Sequence, residues 1–223
     1  MYHHVGYTTE KTSLYVTPET FERQMEFLKV HGYRVLPLAE LVDRIHHGKN
    51  IPWNAVVITF DDGHVDNFNY AFPVLKKMNF PAAIFVITHN VNQEGWLTEE
   101  DLKILDESGL EIGSHTVHHA YLPKLKPEEA VLELTESKKA LEEILGHPIT
   151  LLSYPAGGFT EGLLEEARKA GYKGAVTTNH GLRKHNPYAL HRIKITERAG
   201  NLFNFWVKLT GLYQLGKERV QTQ

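Results

Sequence analysis

The chain has 223 residues, of which 42% are hydrophobic and 23% charged, and its formal net charge is -3. These values exclude a disordered or fibrous class and argue against a nucleic-acid surface as the main business. The length fits one large domain spanning residues 1–223 with a substantial core; no run reaches the roughly 18 apolar residues of a membrane span, and no signal peptide precedes the first motif. Zero cysteines leave His, Asp and Glu as the ligands open to any metal. There are 14 histidines, several of them grouped: His3-His4, His46-His47, and His115 with His118-His119.

Thr17-Pro18-Glu19 opens the first helix, with Thr as cap and Pro at the first helical position, and Phe21, Met25 and Leu28 recur at helical spacing until Gly32. Val35-Leu36-Pro37-Leu38 reads as a short strand, and His46-His47-Gly48-Lys49 as a polar turn after a helix, without a metal role. Ala55 to Phe60 is apolar throughout and reads as a strand covered on both faces. A helix over Phe68 to Met78, a strand over Ala82 to Val86, and a helix capped by Thr98 with Asp101 three residues on continue the series. Leu110-Glu111-Ile112 leads into the histidine group; Lys126 to Leu145 is a long amphipathic helix closed by Gly146. A strand at 150–154, a helix at 161–170, a strand at 174–178 and the stretch Leu190 to Ile195 complete the order. The junctions HGYRV at 31, SGLEI at 108 and AGYKG at 171 share the form helix, Gly, bulky residue, strand. That is the punctuation of repeated βα units, and it predicts an α/β fold with a largely parallel sheet or barrel.

Active sites of parallel α/β folds lie at the carboxyl ends of strands. TFDDGH at 59–64 puts Asp61 and Asp62 at such an end, and Ser114-His115 occupies another. HTVHH places His115 and His119 four apart, close enough to share one ion if the segment turns helically. Two imidazoles and one carboxylate form a three-ligand site with open positions, as catalytic metal sites have.

TFDDG, HTVHH and the YPxG segment at Tyr154-Pro155, in this order, resemble the polysaccharide deacetylase family, the NodB-homology carbohydrate esterases of family 4. The resemblance implies a distorted (β/α) barrel, a divalent metal (zinc first, with cobalt, nickel or iron also compatible) and hydrolysis of an acetamide. It makes Asp61 the catalytic base and Asp62, His115 and His119 the metal ligands. It also makes Tyr154-Pro155-Ala156 the oxyanion and substrate segment, with the Ala156 N–H facing the tetrahedral oxyanion. The family's third motif carries an arginine that steadies the base, where this sequence has Ser153, and Arg192 in LHRIKI is the expected substitute. The usual late aspartate and tryptophan motif is absent, and TTNHG stands at 177–181. The family's general-acid histidine is missing from the C-terminal part, and MYHHVG supplies it as His3, with His4 as a neighbour, in a circularly arranged barrel whose general-acid strand comes first.

A leading YH, an arginine-free YPxG and a late LxRI resemble the subgroup that deacetylates poly-β-1,6-N-acetyl-D-glucosamine in biofilms. The implied partner is an N-acetylglucosamine polymer and the implied location outside the cell. The missing signal and a start inside an expected strand then suggest a chain trimmed at its front or a misplaced start codon. A peptidoglycan or chitin-type β-1,4 deacetylase, an O-acetylxylan esterase and a non-catalytic carbohydrate-binding scaffold are the alternatives; keeping Asp61 beside Asp62 favours an enzyme, since metal binding needs one of them. The apolar element at 201–215, with Leu202, Phe203, Phe205, Trp206, Leu209, Leu212 and Tyr213, either packs on the barrel or sits on a membrane surface. Trp53 and Trp96 either line a sugar groove or pack in the core. The chain is expected to be a monomer.

Overall fold

A computed structural model describes residues 1–9, 14–178 and 186–210. Its centre is a parallel sheet of five consecutive strands, β5 (Thr59–Phe60), β6 (Ala83–Val86), β7 (Glu111–Ser114), β8 (Leu151–Ser153) and β9 (Gly174–Val176). Two further parallel pairs lie outside it: β1 (His4–Val5) with β2 (Tyr15–Val16), and β3 (Arg34–Val35) with β4 (Ala55–Val56). Helices alternate with the strands: α1 (Pro18–Val30), α2 (Leu38–His46), α3 (Phe72–Met78), α4 (Glu99–Glu107), α5 (Pro127–Leu145), α6 (Glu161–Lys169) and α7 (Leu202–Leu209). Thr17 caps α1, and Thr98 with Asp101 forms the full reciprocal box at α4. Gly32, Gly109 and Gly171, the glycines of the three repeated junctions, all hold left-handed φ values of 68°, 86° and 90°, which end a helix without a Cβ penalty.

The termini of the sheet are joined by segments too short to form strands of their own. Tyr2 bridges Phe60 in parallel, with Tyr2 N–H donating to Thr59 (2.8 Å) and Asp61 N–H to Tyr2 (3.0 Å). At the other edge Leu190 bridges Val176, and beyond it Met1 and Ile195 exchange backbone bonds: Ile195 N–H donates to Met1 at 2.9 Å, and the Met1 amine to Ile193 at 3.0 Å. The N-terminal segment therefore fills the gap between β5 and residues 193–195, and the ring closes as a distorted barrel.

Strand alternation divides the core in two. Ile84, Val86, Leu152 and Ala175 face the surrounding helices, while Ala83, Phe85, Leu151 and Val176 face inward, where Leu38 and Val42 of α2 plug the barrel floor. No side chain on Pro37 caps α2; Glu111, at the start of β7, does so from across the floor, accepting the N–H groups of Leu38 (2.6 Å) and Ala39 (2.7 Å).

Several sequence expectations need correction. Ala55–Phe60 is not one strand: β4 pairs with β3 and β5 with β6, so the run changes sheets at Val57-Ile58. The strand expected over Val35–Leu38 ends at Val35, because Pro37 cannot donate to a ladder and Leu38 opens α2. Leu190–Ile195 contributes a bridge and backbone bonds, not a regular strand. Trp53 is 94% exposed and packs in no core. In the C-terminal element α7 ends at Leu209: Phe205 is buried against Phe27, Phe203 and Trp206 are exposed, and residues 211–215 lie outside the described residues, as do 179–181 of TTNHG. Among the described residues no helix is long and apolar enough to cross a membrane.

Candidate active site

The inward parity of the strands carries the polar cluster just above the apolar floor. On β5, Thr59 faces in, Phe60 out and Asp61 in again; on β8 Leu151 and Ser153 face in; at the end of β7 Ser114 faces α5 and His115 turns inward. Gly113, the inward position below His115, has no room for a side chain, since a Cβ there would lie 2.6 Å from Phe85 Cδ1. Phe85 in turn sits beneath the Arg192 guanidinium, 5.7 Å from its ring centre.

Asp61 and Arg192 are both buried, at 1% and 7% exposure, and their contact is bidentate: Nη1 donates to Oδ1 and Nη2 to Oδ2, each at 2.6 Å. The rest of the guanidinium is satisfied as well, by Thr177 O to Nε (2.9 Å), Thr59 Oγ1 to Nη1 (3.3 Å) and Ser153 Oγ to Nη2 (3.0 Å). Five N–H groups thus meet five acceptors. Burial alone would raise the Asp61 pKa, but the charges of Arg192 and His115 and the Arg192 hydrogen bonds outweigh it and hold the carboxyl below its ordinary range. The residue standing where an arginine is expected, Ser153, bonds the arginine that arrives from position 192.

Asp62 takes the opposite environment. Its φ of 77°, followed by 87° at Gly63, reverses the chain, a conformation that costs a non-glycine residue about 1–3 kcal/mol and persists where the surroundings over-determine it. Its Oδ1 lies 3.4 Å from His115 Nε2 and 3.6 Å from His119 Nε2, and its Oδ2 lies 3.6 Å from His64 Nε2. Burial opposes ionisation of Asp62, yet the histidines hold its pKa far below the usual carboxylate range. His115 Nδ1 donates to Ser153 O at 2.7 Å, so that loss of the other ring proton would free the Nε2 lone pair on the Asp62 side.

Ligand atoms from Asp62, His115 and His119 all lie within 4.8 Å of one another. Four-coordinate metal bonds of about 2.0–2.1 Å separate neighbouring ligand atoms by about 3.3 Å, so separations of 3.4 and 3.6 Å from Asp62 to the two imidazoles fit ligands that share one cation. Asp62, His115 and His119 would hold a divalent cation there, which would supply positive charge to acidify a water and offset charge on a carbonyl oxygen. The convergence does not come from a helical turn. Residues 115–119 form an irregular turn, with Thr116 at φ 66° and His119 at φ 57°, and the two imidazole centroids are 4.8 Å apart.

The sequence profile of the polysaccharide deacetylase family matches residues 48–175, more than half of the 223-residue chain. The chain belongs to the polysaccharide deacetylase family. YxkH of Bacillus subtilis, named as a polysaccharide deacetylase, is 36% identical over 211 residues, covering 93% of this chain and 75% of that one. The poly-β-1,6-N-acetyl-D-glucosamine N-deacetylase of Staphylococcus aureus is 30% identical over 205 residues, covering 82% of this chain and 69% of that one. Among solved structures, the Streptococcus pyogenes deacetylase PplD, in complex with acetate, superposes with a TM-score of 0.84 at 27% identity, covering 97% of this chain and 96% of that one. The barrel is accordingly the distorted (β/α) barrel of NodB-type deacetylases.

His3 and Arg192 fall outside the matched segment, and in this deacetylase it is the ring closure that brings them in. Tyr2 pairs with Phe60 and points outward with it, so His3, next in line, shares the inward side with Asp61. His3 Nδ1 is buried with no hydrogen-bond partner among the described residues, and Asn67 Nδ2 fixes the backbone by donating to His3 O at 2.8 Å. Burial lowers the His3 pKa to about 4 despite the pull of Asp61 and Asp62. His4 faces away: its Nδ1 is 2.6 Å from Asp66, and its ring stacks between Tyr15 (4.1 Å) and His64 (3.7 Å), which continues to Trp96 (4.3 Å).

In the SYPAGG segment the three expected residues part company. Tyr154 and Pro155 are buried, and the Tyr154 ring packs on Phe159, so that side chain belongs to the core and not to a substrate surface. Ala156 is exposed, in a left-handed conformation (φ 51°, ψ 12°), and its carbonyl accepts from Thr178 Oγ1 at 2.9 Å. Trp96, a groove or core candidate from sequence, stacks on His64, whereas Thr59, Phe85 and His64 itself are site elements that the sequence did not single out, although His64 closes the TFDDGH motif.

Proposed function

We propose that this polysaccharide deacetylase is a metal-dependent N-deacetylase that removes acetyl groups from N-acetylglucosamine units of an exported polymer, with poly-β-1,6-N-acetyl-D-glucosamine as the substrate. The observation that carries the chemistry is the unequal pair Asp61 and Asp62: one is locked by a buried arginine, the other faces two imidazoles. Asp62, His115 and His119 hold the cation. Asp61, kept ionised, accepts the proton of the water that attacks the acetamide carbonyl. The Ala156 N–H donates to the tetrahedral oxyanion. His3, on the inward side with Asp61, delivers a proton to the departing sugar nitrogen. Arg192 holds the Asp61 carboxylate in place through the cycle.

Support for the β-1,6 linkage comes from the staphylococcal relative of that named activity and from the resemblance that a leading YH and a late LxRI carry to that subgroup. An exported, cell-surface setting follows from a polymeric substrate of this kind. The exposed Phe203 and Trp206 on α7, beside the barrel-packed Phe205, fit contact with a membrane surface.

The test is acetate release from N-acetylglucosamine oligomers differing only in linkage. Turnover of the β-1,6 oligomer, abolished by chelator and lowered about 10²- to 10⁴-fold in Asp61→Asn, is the expected result. Preference for β-1,4 oligomers would replace the substrate assignment. Metal binding without turnover of any acetylated oligomer would leave a carbohydrate-binding scaffold.

A further inference from the structure

We infer that Glu133, on α5 and outside the catalytic cluster, is the positioning residue that holds the turn 115–119 in the shape that presents His119 to the metal. The inference rests on the metal reading of Asp62, His115 and His119.

The turn is not self-supporting. Thr116 and His119 both sit in the left-handed region, which a β-branched residue such as Thr rarely enters. Strained backbone of this kind persists only when other groups fix it. At its apex, Val117 and His118 direct consecutive N–H groups at one oxygen, Glu133 Oε2, at 2.9 Å each, while Glu133 Oε1 meets His118 Nδ1 at 2.7 Å. The Glu133 side chain is only 12% exposed, and its three bonds all go to this turn. A carboxylate drawn out of water in mid-helix depends on such bonds to offset its desolvation.

The same helix grips the turn a second time. Ser137, one helical turn on from Glu133 and on the same face, meets Ser114 Oγ at 2.7 Å and donates to Glu133 O at 2.7 Å; Ser114 Oγ in turn accepts the Thr116 N–H at 3.1 Å. α5 is a firm base for this, because Leu134 and Leu141 are fully buried. The two ligand histidines depend on it unequally. His115 is fixed from β8 through Ser153 O, whereas His119, 41% exposed in its side chain, is placed through the turn, where its N–H donates to Thr116 Oγ1 at 3.1 Å.

The experiment measures Zn²⁺ affinity by chelator competition, the visible absorption of the Co²⁺-loaded protein, and amide hydrogen exchange of residues 116–119 in metal-free protein. Glu133→Ala is expected to weaken Zn²⁺ binding about tenfold or more, as losing outer-shell support does, to change the Co²⁺ spectrum, and to speed exchange at Val117 and His118 without metal. Glu133→Gln, which keeps an oxygen for both N–H groups, is expected to stay within about threefold of the parent, and His118→Ala within about twofold. If the alanine variant does not fold, Glu133→Asp, one methylene too short to reach, carries the same expectation. Parent-like affinity and exchange in Glu133→Ala, or equal losses in His118→Ala, would overturn the inference. Asp62→Ala separates the two levels: if it leaves Zn²⁺ binding unchanged, the metal reading itself fails, whereas loss in Asp62→Ala with none in Glu133→Ala rejects only the role of Glu133.

Discussion

Replacing Arg192 by Met keeps a stem over Phe85 and removes the charge, leaving a 1% exposed carboxylate without its bidentate partner and with the weaker pull of His115 and the Ser153 hydroxyl. In the parent, Asp61 has a folded pKa below its unfolded value. The pair therefore contributes its full stability above about pH 4, and the contribution disappears as pH falls through the folded value. Without Arg192 the sign reverses, because burial raises the pKa of an unpaired carboxylate by up to about 3–5 units. Breaking a buried pair from one side destabilises by about 3–5 kcal/mol, which for 223 residues lowers the melting temperature by about 10 °C. In kinetics the acid limb of kcat/KM is expected to move up by at least about 2 pH units, with Zn²⁺ affinity nearly unchanged because no ligand bonds Arg192. Asp61→Asn/Arg192→Met removes the stranded charge and is expected to recover most of the lost stability while staying inactive. Thermal melts and pH–rate profiles of the three variants suffice. A single Arg192→Met protein with the parental acid limb and melting temperature would refute the assignment of Arg192 as the group that keeps Asp61 ionised.

In the metal-free protein, the His3 pKa of about 4 against 6.5 unfolded means that the unfolded chain binds the extra proton in that window, so stability falls as pH drops from 6.5 towards 4, by up to about 3 kcal/mol. Urea unfolding across that range should show the slope, and His3→Gln should flatten it. The same variant is expected to lose about 10²-fold or more on amide substrates and far less on an aryl acetate, whose leaving group needs no proton; equal losses on both would remove His3 as the acid. Gly113→Ala drives a methyl into Phe85 at 2.6 Å, with an expected loss of about 1–3 kcal/mol and a drop in turnover through Arg192 above that ring; a parental melting curve would show that the barrel floor yields more easily than its packing implies. Phe203→Ser/Trp206→Ser is expected to lower flotation with anionic liposomes while leaving acetate release from short oligomers intact, and unchanged flotation would reject the membrane contact.

The element order, the caps and the carboxylate and histidine motifs were legible in the sequence because each depends on neighbours a few residues apart: Thr98 with Asp101, the glycines after helices, Asp61 and Asp62 directly after an apolar run. Local pattern also overreached where it had no access to partners. Ala55–Phe60 looks like one strand, but which edge each half pairs with is settled only when β3 and β6 are both in place. HTVHH has helical spacing, yet its histidines meet through a strained turn held by Glu133, a residue 14 positions beyond His119 that no spacing rule connects to it. Arg192 was named as a substitute only through the family resemblance, which implies an arginine beside the base where this sequence has Ser153. Its bidentate hold on Asp61 spans 131 residues, and His3 reaches the same side because the N-terminal segment closes the barrel between β5 and residues 193–195. The sequence by itself determined which residues could do the chemistry, since side-chain type and local backbone are written into it. Only the tertiary structure decided which of two adjacent carboxylates receives an arginine and which receives histidines, because a buried charge is defined by partners that the chain brings from far away.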